Sequence, residues 1–251
     1  VTDHDTIKSA QLLLSNNVAK KFGIKYITGI EFSTEYNNES IHLLAYGYSP
    51  NDKVMKELVE QSKNLRLSRI KKRIEILQTE FGIILNNDEL EIINNSDNPN
   101  KPMLANILIK RGLGKTITEV IKKYLYHKMP DDKLKTVDVI KKLSQNNIIS
   151  VYAHSLGGVG EKRVERNVFE DRLQEFVNAG LSGLECYYSL YNKEEQEYLL
   201  SKAKEYNLIV SGGSDYHGTN KTVKIGELSN YGFKPSNSDV TLLDKVKLYE
   251  I

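Results

Sequence analysis

A single cysteine, Cys186, stands in the 251 residues, so no intrachain disulfide can form and the chain suits a reducing compartment. No apolar run approaches the roughly 20 residues that a membrane span requires, and no signal peptide opens the sequence. Both absences lead us to expect a cytoplasmic protein with no membrane partner. Charge of one sign is missing too, since 35 basic and 33 acidic residues leave a net +2. No bulk field then draws nucleic acid or lipid to the surface, and any polyanion must be gripped locally. We find no internal repeat, and no feature that calls for a stable protein partner. With 39% hydrophobic and 27% charged residues, the chain has material for a full globular core.

Histidine is also scarce, and its placement is informative. Four of the five histidines fall where strand-like apolar runs end. They are His4 in Thr-Asp-His-Asp, His42 in Ser-Ile-His-Leu-Leu, His154 in Val-Tyr-Ala-His-Ser and His217 in Gly-Gly-Ser-Asp-Tyr-His-Gly. Neutral imidazole is a common ligand for transition metals, and strand ends are where α/β barrels gather their chemistry.

The length suits one large α/β domain, with or without an insertion. Local patterns predict a strand remnant at the start, a helix over Ile7–Phe22, a strand from Lys25 to Ser33 and another over Ser40–Gly47. From 51 to about 135 the character changes: Leu58, Leu65, Ile70, Ile74 and Leu77 recur at near-helical spacing among charged residues. Further helices are expected over Asn87–Asn94, Pro102–Lys110 and Thr116–Tyr124. After 136, helices over Val137–Gln145, Phe169–Ala179 and Lys193–Tyr206 alternate with strands at Ile148–Ala153, Gly183–Tyr188 and Leu208–Ser211. Such alternation argues for parallel strands with crossover helices. The expected division is therefore a barrel over 1–50 and 136–251, with 51–135 as an inserted helical subdomain.

The strongest local signal is Leu208-Ile-Val-Ser-Gly-Gly-Ser-Asp215-Tyr-His217-Gly. Its glycine pair permits close approach of a ligand, and in extended backbone Asp215 and His217 would face one side. They would bind one metal together or serve two; a turn with a hydrogen-bonded Asp is the plain alternative. His4 precedes a helix that Asp5 or Thr6 is placed to cap. Glu31 lies in an otherwise buried strand, so its carboxylate should be paired or bound to a cation. His42 has apolar neighbours, as an ordinary core histidine would. His127, in Tyr-Leu-Tyr-His-Lys, reads as a helix C-terminal residue and stays outside the site.

Thr-Asp-His-Asp-Thr, Gly-Ile-Glu-Phe-Ser, Ile-His-Leu-Leu-Ala-Tyr-Gly, Ala-His-Ser and Gly-Gly-Ser-Asp-Tyr-His-Gly-x-x-Lys occur in the order seen in the PHP (polymerase and histidinol phosphatase) superfamily. The chain resembles most its bacterial 3′,5′-nucleoside bisphosphate phosphatases and 5′–3′ exoribonucleases. That resemblance implies a distorted (β/α)7 barrel holding two or three divalent ions, manganese, zinc or iron. It implies metal ligation by His4, Glu31, His42, His154, Asp215 and His217, with Glu31 bridging two ions. The spacing from Glu31 to His42 suits the family pattern. Three departures stand out. The family's opening His-x-His strand is absent, so the first strand is expected to be missing from this chain, which begins at Val1 in mid-motif. The family's Arg-Pro-His is here Lys101-Pro102-Met103, where lysine offers a point charge without arginine's bidentate fork. Ala-His-Pro is here Ala153-His154-Ser155, which keeps the histidine.

The resemblance implies hydrolysis of phosphate monoesters or diesters, of nucleotides or short RNA 5′ ends, by a metal-bound hydroxide. Lys101 and Lys221 are the candidates for phosphate contact, with Lys162 or Arg163 facing substrate as further possibilities. Tyr187 or Tyr188 could stack on a base, though a core role suits them better. Two other readings stand beside this one: a phosphatase of the histidinol-phosphate type, and a degenerate domain that acts as a binding module.

Overall fold

In the computed structural model, residues 1–15, 21, 23–127, 133–218 and 221–249 are described. Strand β1 (Gly29–Tyr36) turns back into β2 (Glu39–Tyr46) through Asn37 and Asn38, at φ of 50° and 63°. A two-residue turn with both angles positive matches the twist of a hairpin, and asparagine tolerates it. The pair is therefore antiparallel over its whole length. Beyond a helical layer come β3 (Leu134–Lys135), β4 (Ile149–Tyr152), β5 (Gly183–Tyr188) and β6 (Ile209–Gly213), giving one mixed sheet in the order β3-β1-β2-β4-β5-β6. The expected parallel arrangement holds for β4–β5–β6 and β1–β3, whereas β2 runs antiparallel to β4. The sheet and its crossover helices make a mixed α/β fold.

The first residues add to the free part of β1. Asp5 N–H donates to the Glu31 carbonyl at 3.0 Å, and Glu31 N–H donates to that of Asp3 at 3.2 Å. This bridge sets His4 opposite Glu31. The strand expected from Lys25 begins only at Gly29, because Tyr26 instead exchanges backbone hydrogen bonds with Tyr249. Helix α1 spans Lys8–Ser15; the rest of the predicted helix mostly lies outside the described residues. Of its two capping candidates, Thr6 Oγ1 accepts from Lys8 N–H, while Asp5 turns inward.

The helical layer opens with α2 (Lys53–Phe81), capped by Asp52, whose side chain accepts from Met55 N–H, and closed by Gly82 at φ 64°. It continues with α3 (Asn87–Asn94), α4 (Lys101–Lys110) and α5 (Ile117–Tyr124). Met55 and Leu58, early in α2, join the main core beneath the sheet; Ile70 and Leu77 join Leu104, Leu108 and Val120 in a second cluster. Helices α6 (Thr136–Gln145), α7 (Arg166–Asn178) and α8 (Lys193–Glu205) cross between the later strands, burying Leu143, Phe169, Phe176 and Leu199 against them.

Candidate metal centre

Glu31 sits in the middle of β1 and is 5% exposed. Its Oε1 lies 2.9 Å from His42 Nδ1 and 3.3 Å from His154 Nε2, and its Oε2 lies 3.7 Å from His4 Nε2. Each imidazole comes from a different part of the sheet, and His42 lies within its strand, not at the end the sequence suggested. His4 arrives by the N-terminal bridge, His42 from β2 and His154 from the turn after β4. His42 Nδ1 and His154 Nε2 are 3.0 Å apart. Burial alone would raise the Glu31 carboxyl, but His154, His42 and His4 outweigh it and hold Glu31 well below the usual carboxylate range. Burial also lowers His4, against the pull of Glu31, which favours the neutral form that can offer a lone pair. For His154 burial is overcome by the carboxylates of Glu161 and Glu31, which raise it to about 10.

His4, Glu31, His154, Asp215 and His217 all line one cavity of about 810 Å³. His42 stands behind Glu31 and faces a second cavity of about 290 Å³, shared with His154, Glu161 and Lys162. Asp215 and His217 reach the first cavity by a different route from the extended one expected. Asp215 adopts φ 52°, and His217 Nδ1 folds back to within 2.9 Å of the Asp215 carbonyl oxygen. Asp215 Oδ2 accepts from Tyr188 OH at 3.1 Å and from Lys221 Nζ at 2.6 Å. Lys221 thus faces the site through this carboxylate, and Tyr188 is a buried residue that orients it. The glycine pair also serves packing. A Cβ on Gly212 would lie 2.8 Å from Tyr187 Cβ, and one on Gly213 would lie 2.7 Å from Glu185 Oε1. The pair lets β6 close on β5.

Glu185 was not singled out from sequence, although Gly-Leu-Glu-Cys carries the signal used for Glu31: an acid within an apolar strand. It is 5% exposed, lines the larger cavity, and accepts from the His154 backbone N–H at 2.7 Å. Burial raises its carboxyl to about 8. Glu161, in the loop after His154, was also missed. It lies 3.2 Å from His154 Nδ1, and no strand or helix pattern in that loop could have pointed to it.

The helical layer brings Arg66 and Asn98 beside His4, whereas Lys101 and Lys133 line neither of the two cavities. Arg66 of α2 pairs with Asp5, which is 1% exposed, and donates to Ser33 Oγ at 2.9 Å. Asn98 Nδ2 donates to the His4 carbonyl at 3.0 Å. Lys101 begins α4, where burial and then the Arg73 and Arg69 charges lower its ammonium. Lys133 Nζ donates to Ser40 Oγ at 2.5 Å, and burial lowers it to about 8. Arg163 pairs instead with Glu195, and His127 lies 3.2 Å from Glu80 in the helical layer, outside the site.

The donor set suits a divalent cation. His4, Glu31 and His42 each present one ligand atom, all within 4.8 Å of one another, and His42, His154 and Glu161 do the same. Mixed imidazole and carboxylate donors accept several first-row ions.

No family model matches the chain. It is 26% identical over 229 residues to a 5′–3′ exoribonuclease of Haemophilus influenzae, covering 90% of this chain and 81% of that one. A 3′,5′-nucleoside bisphosphate phosphatase of Chromobacterium violaceum is 21% identical over 221 residues, 86% of this chain and 75% of that protein. Among solved structures, a metal-dependent phosphoesterase of Bifidobacterium adolescentis aligns with a TM-score of 0.71 at 23% identity, over 90% of this chain and 79% of its own. The chain is thus similar over most of its length to enzymes named for RNA and for nucleoside bisphosphates, and its fold is that of a metal-dependent phosphoesterase. An amidohydrolase of C. violaceum, solved with bound sulfate and no metal, aligns at 0.67 with 19% identity over 100% of this chain and 80% of its own. The exoribonuclease, the bisphosphate phosphatase and the phosphoesterase are hydrolases of phosphoric esters, and this chain is similar to them in both sequence and fold. Among the described residues, no helix is long and apolar enough to cross a membrane.

Proposed function

We propose that this phosphoesterase acts on nucleotides or short RNA 5′ ends at the cavity around Glu31. The observation that carries the reading is one buried carboxylate facing three imidazoles from separate parts of the sheet, at the wall of a cavity that also holds Asp215 and His217. His4, Glu31, His42, His154, Asp215 and His217 would hold two or three divalent ions, with manganese, zinc and iron all compatible with the donors. Such ions, when bound, acidify a water and offset charge on phosphoryl oxygens.

The remaining work falls to the chain. Water adds to phosphorus, the ester P–O bond breaks, and the departing oxygen takes a proton. Lys101 and Lys221 orient the phosphate as point charges, which fixes position less tightly than an arginine fork would. Residues 51–135 act as the layer that grips substrate, and 1–50 with 136–251 as the barrel that holds the ions. Relatives named for RNA and for nucleoside bisphosphates support the nucleotide class over histidinol phosphate.

The test is phosphate release from adenosine 3′,5′-bisphosphate, with histidinol phosphate alongside, after loading with manganese. We expect release from the nucleotide, its loss with a chelator, and its loss in Glu31→Gln. A manganese-loaded protein that releases phosphate from neither compound would overturn the proposal.

A further inference from the structure

The two ring nitrogens of His154 face opposite carboxylates. Nε2 lies 3.3 Å from Glu31 Oε1 and 3.0 Å from His42 Nδ1, while Nδ1 lies 3.2 Å from Glu161 Oε2. Glu161 is itself held in place. Its Oε2 accepts from Gly158 N–H at 2.8 Å, and its own N–H donates to the Gly158 carbonyl at 3.1 Å. A Cβ at Gly158 would lie 2.9 Å from His154 Nδ1 and 3.0 Å from Glu161 Oε2. Only glycine lets the loop fold this closely over the ring. The other side of His154 is fixed as well, since its backbone N–H donates to Glu185 and its φ is 27°.

We propose that Glu161 is a positioning residue of the metal centre: it accepts the Nδ1–H of His154 and thereby commits the Nε2 lone pair to the cation held with Glu31 and His42. The inference rests on the reading of that cluster as a metal site, and it assigns Glu161 a part that neither the sequence motifs nor the named relatives supply. The physical reason is general. A ligating imidazole must be neutral and in one tautomer, and a carboxylate on its far nitrogen fixes both the proton and the ring plane. Loss of such a partner weakens metal affinity by about 10- to 100-fold. Direct ligation by Glu161 is the rival arrangement. It would place the cation on the Nδ1 side of the ring, away from Glu31.

The test uses the full chain with zinc, which is diamagnetic. Long-range proton–nitrogen correlation spectra of histidine-labelled protein should show His154 with its proton on Nδ1 and zinc on Nε2. Competition with a chromophoric chelator should show zinc bound about 10- to 100-fold more weakly by Glu161→Ala, with part of the affinity regained in Glu161→Gln, whose amide oxygen still accepts. Glu161 lies on a surface loop, so a thermal melt should show both variants folded. Zinc on Nδ1, a proton on Nε2, or unchanged affinity in Glu161→Ala would each overturn the assignment while leaving the metal site standing. A wild-type protein that takes up no zinc would overturn both together.

Discussion

The sheet and the helical layer bury different things. Under and around the sheet, Asp5, Glu31, His154 and Glu185 are all nearly inaccessible. The helical core is filled by Ile70, Leu77, Leu104, Leu108 and Val120. Its buried Arg73 serves packing, donating to the carbonyls of Leu125 and His127 at 3.0 Å. Buried charge costs stability unless it is paired, and even a good pair seldom repays the loss of water in full. The sheet therefore gathers most of this cost at its functional mouth, whereas among the described residues of the helical layer Arg73 is the buried charge. Substitutions should separate accordingly: on the sheet side they should disturb ion binding and catalysis, on the helical side stability.

The largest effect should come from Glu31→Gln, which removes the charge that three imidazoles face. Loss of a supporting residue weakens metal binding by about 10- to 100-fold, so losing this central donor should weaken zinc binding and lower turnover by more than roughly 100-fold. Its circular dichroism should match that of the parent. Zinc binding at parental affinity would erase the distinction drawn between the two regions.

Arg66→Met probes the seam. Asp5 would keep the Ser33 N–H at 3.0 Å but lose its guanidinium, and a buried carboxylate left without its partner costs about 3–5 kcal/mol. A chemical-denaturation midpoint measures this, and a shift under a few tenths of a kcal/mol would show the seam to be solvated. Leu104→Ala should cost about 2–5 kcal/mol by the cavity it leaves, with zinc stoichiometry unchanged. A loss of zinc in that variant would tie the helical core to the site and break the comparison from the other side.

Much of the sheet side was legible because periodicity and punctuation act locally. Gly183–Tyr188 and Asn87–Asn94 appear at the predicted limits. Histidines at strand ends and an acid in an apolar strand pointed to His4, Glu31, His42 and His154. What escaped was non-local. Asp5 sits where a helix cap belongs, yet a partner 61 residues away claims its side chain. Glu161 acquires its place only when a glycine loop folds over His154. Glu185 carried a readable signal, since the argument applied to Glu31 holds for it without change. The left-handed backbone at Asp215 redirects a pair that alternation would have aligned.

The smallest expected effect is a slope with pH, and it sharpens the comparison because its sources belong to the sheet side. In metal-free protein Glu185 is raised to about 8 by burial, and His154 to about 10 by Glu161 and Glu31 against its burial. Both folded values exceed the unfolded ones, so the folded state holds extra protons between them. The stability from Glu185 is fully present below its unfolded value near 4.5 and is lost as pH rises through about 8. That from His154 is present below about 6.5 and is lost as pH rises through about 10. Glu161, lowered to about 2 by His154 despite burial, has the opposite sign: its share is present above about 4.5 and lost as pH falls through about 2. Glu185 thus acts from about 4.5 to 8 and His154 from about 6.5 to 10, so chelator-treated protein should lose stability most steeply in the window where they overlap, about pH 6.5 to pH 8. Glu185→Gln should flatten the slope. Denaturation midpoints at both ends of the window measure it, and a rise in stability toward alkaline pH would mean that the buried acid is already ionised and paired, which would move the cost assigned to the sheet elsewhere in the molecule.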